Sequence, residues 1–146
     1  MSLLEFKDYV MAEKVTMMLD KGVFVGTKNY FICVPSKVEE HTYSKITTTK
    51  YSFKGKEIAD AVQDIINESK SVADLESNFL DMHKEFDEMN IYKIDELKAF
   101  KVQAGFLGSG IHLQEEGKRI WKPFIQALGK KKKEIRSFYE HHENLK

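Results

Sequence analysis

The sequence predicts the α+β class: an antiparallel sheet of about six strands with helices packed on it, in a quasi-repeated α-βββ-α / α-βββ-α order. Three observations carry that expectation. Phe100, Val102, Ala104 and Phe106 alternate with Lys101, Gln103 and Gly105, the period of a half-buried strand. Val23–Val25 and Tyr30–Val34 are β-branched and aromatic runs around the turn Gly26-Thr27-Lys28-Asn29. Between these strand regions, residues 57–69 and 71–89 carry apolar side chains at helical spacing.

Taken in order, residues 3–20 read as a helix. Leu4, Met11, Val15 and Met18 form one stripe, with Leu3, Phe6, Val10 and Met17 beside it and Gly22 as its stop signal. The hairpin of 23–34 follows; Tyr30 to Val34 is apolar without alternation, which predicts a strand covered on both faces, ended by Pro35. His41 to Phe53 is rich in Thr and Tyr and reads as an edge, bulged or partner-facing strand. In the helix of 57–69, Ile58, Val62, Ile65 and Ile66 share a face. Ser71 caps the next helix with Asp74 three residues on. Along that helix Val72, Leu75, Phe79, Met82, Phe86 and Met89 form a short heptad seam, suited to packing on another helix or across a dimer axis.

The strand through Phe106 then turns at Gly108-Ser109-Gly110 into Ile111 and Leu113. Glu116-Gly117 turns again into a short strand, Arg119–Lys122. Pro123 opens a final helix with Phe124, Ile125, Leu128, Ile135, Phe138 and Tyr139 on one face, interrupted at Gly129 and Lys130–Lys133.

IDELKAFKVQAGFLGSGIHLQ, followed by a short strand and a terminal helix, resembles the closing part of a pleckstrin-homology-like bacterial domain over residues 94–140. The resemblance implies an alternative fold, a pleckstrin-homology-like β-barrel with inserted helices. Such domains run their strands without a break, whereas this chain places two helices midway. No functional residue is carried over from it.

Length and composition bound the functional classes. At 146 residues, residues 1–146 are expected to form a single α+β domain. Lys plus Arg and Asp plus Glu are balanced at 23 each, which argues against a general affinity for nucleic acid and for some self-association. No apolar run approaches the ~20 residues of a membrane span, and MSLLEFKDYV carries acids where a secretory leader is basic. A cytoplasmic location is the expectation.

The chemistry is sparse. Cys33, the single cysteine, sits in the apolar run Phe31-Ile32-Cys33-Val34 and is expected to be an inert core thiol. Of the five histidines, His83 offers two metal ligands with Asp87, which do not make a site, and His141-His142 is expected to fray. No metal site, cofactor or catalytic residue is assigned. Gly105-Phe106-Leu107-Gly108-Ser109-Gly110 lacks the Lys-Ser/Thr ending of a phosphate loop and leads into a strand, so it reads as a hairpin turn.

Two features stand above background. Tyr43, Lys45 and Tyr51 on one strand face, with His112, Arg119 and Trp121 elsewhere, are the candidate ligand-binding residues. Charge is also segregated: Asp74 to Glu96 is acidic and Lys118 to Arg136 is basic, so two helices either complement one another or leave a basic end for an acidic partner or membrane surface. The expected function is binding without catalysis, by a protein-interaction domain that self-associates, with a protein partner or a small apolar ligand held between sheet and helices. Two alternatives stand beside it: a hydrolase or transferase built around His112 and Arg119, and a module attaching to an anionic surface through Lys130 to Lys133.

Overall fold

Two strands that are apolar on both faces decide the architecture. In the computed structural model, which describes residues 8–17, 20–36, 58–86 and 89–146, β2 (Lys21–Gly26) and β3 (Tyr30–Pro35) form the predicted hairpin. Phe24, Phe31 and Cys33 point to one side; Val23, Val25, Ile32 and Val34 point to the other. Each face therefore needs its own cover.

The four-stranded sheet runs β1-β2-β3-β4, with β1 at Val10–Thr16 and β4 at Asn90–Lys93, all neighbours antiparallel. Its Val23–Val34 face is covered by α1 (Ile58–Glu68) and α2 (Val72–Glu85), which contribute Val62, Ile66, Leu75, Phe79 and Met82. Its other face packs on a three-stranded antiparallel sheet of β5 (Leu97–Ala104), β6 (Ser109–Glu115) and β7 (Lys122–Ile125). A short helix, α3 (Lys132–Phe138), closes that second core with Ile135 and the following Tyr139. The class is α+β, with two antiparallel sheets instead of one. The sheets meet at a corner, where the Thr16 N–H donates to the Ala127 carbonyl at 2.9 Å and the Gln126 N–H to the Thr16 carbonyl at 2.7 Å. Among the described residues they do not close into a barrel. The quasi-repeat rests partly on residues 37–57, which lie outside the described ones.

Several expectations are corrected. Residues 10–16 are a strand, not part of a helix. The cause is a bulge: Ala12 pairs with Phe24 and Val15 with Gly22, three residues stepping against two. Core-facing Val10, Ala12, Val15 and Met17 are consequently spaced 2, 3 and 2, which imitates a helical stripe. Gly22 is not a helix stop; a Cβ there would lie 2.5 Å from the Val34 carbonyl oxygen, so the close strand pairing needs glycine. Pro123 stands in β7, an edge strand that tolerates a missing N–H, and the last helix begins at Lys132. Gly129, at φ 69°, precedes that helix and does not bend it. The seam residues Leu75, Phe79, Met82 and Phe86 are wholly buried in the core under the four-stranded sheet, so the fold itself uses them. The Ser71 cap is as expected: its side chain accepts the Asp74 N–H at 3.1 Å.

The β2–β3 turn is held from both sides. The buried Glu76 carboxylate of α2 accepts the Thr27 hydroxyl at 2.5 Å and the Asn29 amide at 3.3 Å. From the other side the buried Tyr139 hydroxyl donates to the Thr27 carbonyl at 2.7 Å. Gly26 makes room for this, since a Cβ there would collide with the Tyr139 hydroxyl. Around the turn, Phe31 meets Phe100 edge-on at 5.0 Å and Tyr139 at 5.2 Å, with Phe24 and Phe124 tilted against it. His142 does not fray: its ring lies 5.3 Å from Phe100, its Nδ1 accepts the Asn144 N–H, and its Nε2 donates to the Lys28 carbonyl at 2.9 Å.

Two stability measurements follow. Phe31→Ala empties the centre of the aromatic cluster and is expected to cost about 3–5 kcal/mol in urea unfolding. Burial, reinforced by the Glu76 carboxylate, pushes the Tyr139 phenol well above its ordinary range. A raised folded-state pKa gives stability that is complete below the unfolded tyrosine value and lost as pH rises towards the folded one. In alkaline titration Tyr139 should therefore ionise only with unfolding, and Tyr139→Phe should remove that late phenolate signal while costing about 1–2 kcal/mol at neutral pH.

Candidate binding surface

Three of the six candidate ligand residues, Tyr43, Lys45 and Tyr51, lie outside the described residues. The other three are placed on or beside the outer side of the β5–β7 sheet. His112 of β6 pairs with Lys101 on one neighbour and with Pro123 on the other. The Lys101 ammonium stands 4.4 Å from the Trp121 ring centroid, a cation–π contact that makes Trp121 a rim anchor. Arg119 is exposed in the β6–β7 loop, where its carbonyl accepts the Gln114 amide at 3.3 Å. The Nδ1 of His112 is enclosed without a hydrogen-bond partner among the described residues. His112 is thus on the sheet and Trp121 beside it, and among the described residues no carboxylate is hydrogen-bonded to the His112 Nδ1.

Sequence periodicity missed the surface that stands out. Phe106, expected on the buried face, is 96% exposed, and its neighbour Leu107 is 95% exposed. The reason is where the hairpin turns. Ala104 pairs with Ser109, so the turn is Gly105-Phe106-Leu107-Gly108 and the alternation of β5 stops at Ala104. Ser109 and Gly110 belong to β6, not to the turn. The Ser109 hydroxyl accepts the Leu128 N–H at 3.0 Å, and Gly110 lies against the Ile125 carbonyl, where a Cβ would come within 2.6 Å. Both glycines flanking Phe106-Leu107 are exposed, which leaves the two side chains at the end of an unpacked turn.

The basic stretch lies beside this tip. Gly129 adopts a left-handed conformation, where its missing side chain avoids the Lys14 carbonyl, and leads through a short 3-10 turn, Gly129–Lys131, into α3. Ile135 and Tyr139 bury one side of this segment, leaving Lys130, Lys131 and Lys133 exposed. The Lys132 ammonium donates to the Gly105 carbonyl at 3.0 Å, tying the base of the tip to the helix. A shallow depression of ≈ 360 Å³ lined by Ala104, Lys133, Arg136, Ser137 and Glu140 separates the two. From residue 129 to 140 the cations Lys130 to Lys133 and Arg136 face two carboxylates, Glu134 and Glu140, with Lys131 3.4 Å from Glu134. The helices α2 and α3 do not pack on one another: they belong to separate cores on opposite faces of the four-stranded sheet.

A larger open groove of ≈ 750 Å³ runs between β1, α1 and α3, lined by Tyr9, Glu13, Lys28, Gln63, Lys131 and Phe138 among others. Its charges are mixed. Lys28 donates to the Phe138 carbonyl, stands 3.8 Å from the Phe138 ring centroid, and is held below the ordinary lysine range by burial. It serves the contact between the first hairpin and α3.

Cys33 is completely buried, and burial first, then the Asp20 charge, push its thiol far above the ordinary range. Its place in the core is as expected. Among the described residues no group of three or more His, Cys, Asp or Glu could hold a metal ion, and no helix is long and apolar enough to cross a membrane. Comparison of the chain with protein families, curated proteins and solved structures finds no match. Cys33 should resist a thiol reagent under native conditions and react fully in denaturant, so its labelling rate measures how often the core opens.

Proposed function

We propose that this chain is a binding domain without catalysis of its own, and that its contact surface is the end where the β5–β6 tip meets Lys130 to Lys133. The single observation that carries this reading is the pair Phe106 and Leu107. Most large apolar side chains among the described residues are inside one of the two cores; of those left exposed, Ile120 and Leu80 stand apart in sequence, whereas Phe106 and Leu107 are adjacent on one tip. Cations at the base of the same tip give the surface a second recognition element, attraction for anionic groups.

The other readings draw less from the geometry. Self-association loses its strongest sequence argument, because the heptad seam is spent in the core. A two-fold pairing through the tip would also set one lysine run against its copy. A hydrolase or transferase around His112 and Arg119 needs a polarised base, and His112 has no such partner among the described residues.

The test is retention on a heparin column. The native chain should bind at low salt and elute as salt rises, and Lys130–Lys133→Ala should elute with the flow-through. A native chain that is never retained at low salt overturns the reading. Light scattering at low salt should show a monomer whose mass does not change with Phe106→Ser/Leu107→Ser.

A further inference from the structure

The shape of the tip narrows the partner, resting on the binding surface just proposed. Phe106 and Leu107 form a protrusion, not a face: two side chains on a four-residue turn, each more than nine-tenths exposed. Fully buried, they would remove a few hundred Å² from water, well below the roughly 800 Å² per partner of a standard protein interface. A second copy is disfavoured for the same reason and by the lysines that would face each other. The interfacial layer of a lipid bilayer has no such minimum area, because it is fluid and closes around whatever enters. It asks for small apolar wedges, a protein backbone with its polar groups near the headgroups, and cations at headgroup level where the lipids are anionic.

All three are present. The wedge is Phe106-Leu107. Gly105 and Gly108 carry no side chain that would block approach, and the Gly105 carbonyl is already satisfied by the Lys132 ammonium. Lys132 is bonded to the base of the wedge, Lys133 and Arg136 line the depression beside it, and Lys130 and Lys131 precede them on the same exposed segment; their long aliphatic stems let these charges reach headgroup phosphates. Glu134 and Glu140 weaken this field without cancelling it. The acidic α2 lies on the far side of the four-stranded sheet, so a chain with no net charge still has a defined attractive end. We infer that the partner of this surface is an anionic lipid bilayer, which the Phe106-Leu107 tip enters while Lys130 to Lys133 and Arg136 lie at its headgroups.

The experiment is co-sedimentation with vesicles of phosphatidylcholine alone and of phosphatidylcholine mixed with phosphatidylserine, run beside the heparin column. The native chain should sediment with the mixed vesicles and not with phosphatidylcholine alone. Phe106→Ser/Leu107→Ser should weaken that partition by about tenfold or more. Each lysine of Lys130–Lys133 changed to alanine should cost about fivefold. In a Phe106→Trp variant the added emission should shift to the blue on anionic vesicles and be quenched by lipids brominated on their acyl chains, with Trp121 of the native chain as background. Heparin retention without vesicle binding would overturn the lipid assignment and leave the binding surface standing. Vesicle binding indifferent to the serine substitutions would overturn insertion, leaving only surface electrostatics. A tip-dependent dimer in light scattering without vesicle binding would assign the tip to a second copy and overturn the proposal.

Discussion

The hydroxyl of Tyr139 donating to the carbonyl of Thr27 is the contact on which the rest of the arrangement turns. It joins the β2–β3 turn to the segment after α3, inside the aromatic cluster centred on Phe31. The same turn is gripped from the opposite side by Glu76, so one four-residue connection ties the α1–α2 layer and the α3 segment to the same sheet. A buried carboxylate and a buried phenol are costly unless their bonds are made. Here each is satisfied by groups of one turn. Without those bonds, Ile135 and Tyr139 would lose their fixed seat, and with it the position of the lysine run relative to the hairpin tip.

That dependence explains why a surface with few contacts of its own can have a defined geometry. The tip is unpacked, yet β5 and β6 below it are paired from Leu97 to Ala104, and the edge of β5 is bonded further by Asn144 and Lys146 through the backbone of Phe100. The Asn144 side chain closes the other end of this edge on the Ile94 and Leu97 carbonyls. Rigid strands carry the solvent-exposed side chains, and the Lys132–Gly105 bond keeps helix and tip together.

How much of this was legible in the residues follows from what each pattern depends on. The two-sided hairpin of 21–35 was legible because a short unbroken apolar run, bounded by turn residues and rich in β-branched side chains, fits a strand covered on both faces. The helices at 58–68 and 72–85 and the Ser71 cap followed from spacing that is local to each helix. The strand at 10–16 was not legible, because a bulge rewrites period two as something close to helical, and a bulge is chosen by the neighbouring strand. Phe106 was misplaced by a turn whose position is decided by the pairing of Ala104 with Ser109, earlier in the chain than Gly108-Ser109-Gly110 suggested. Of the candidate site, the lysine run was visible as composition. Its company with Phe106 and Leu107 was not, since the Lys132 to Gly105 contact spans 27 residues.

The separation between Thr27 and Tyr139, 112 residues, also says something about how the protein comes into being. Closing so long a loop adds only modestly to the entropic cost, about 0.6 kcal/mol for each doubling of length, yet contacts of this range form slowly. As the chain leaves the ribosome, Phe24 and Phe31 emerge well before their cover, Phe100, Phe124 and Tyr139. One face of the first hairpin therefore waits for more than a hundred further residues to be made. The other face can be covered much sooner by α1 and α2. The nascent first hairpin is then half-dressed over that whole interval, with its aromatic face the later of the two to find shelter.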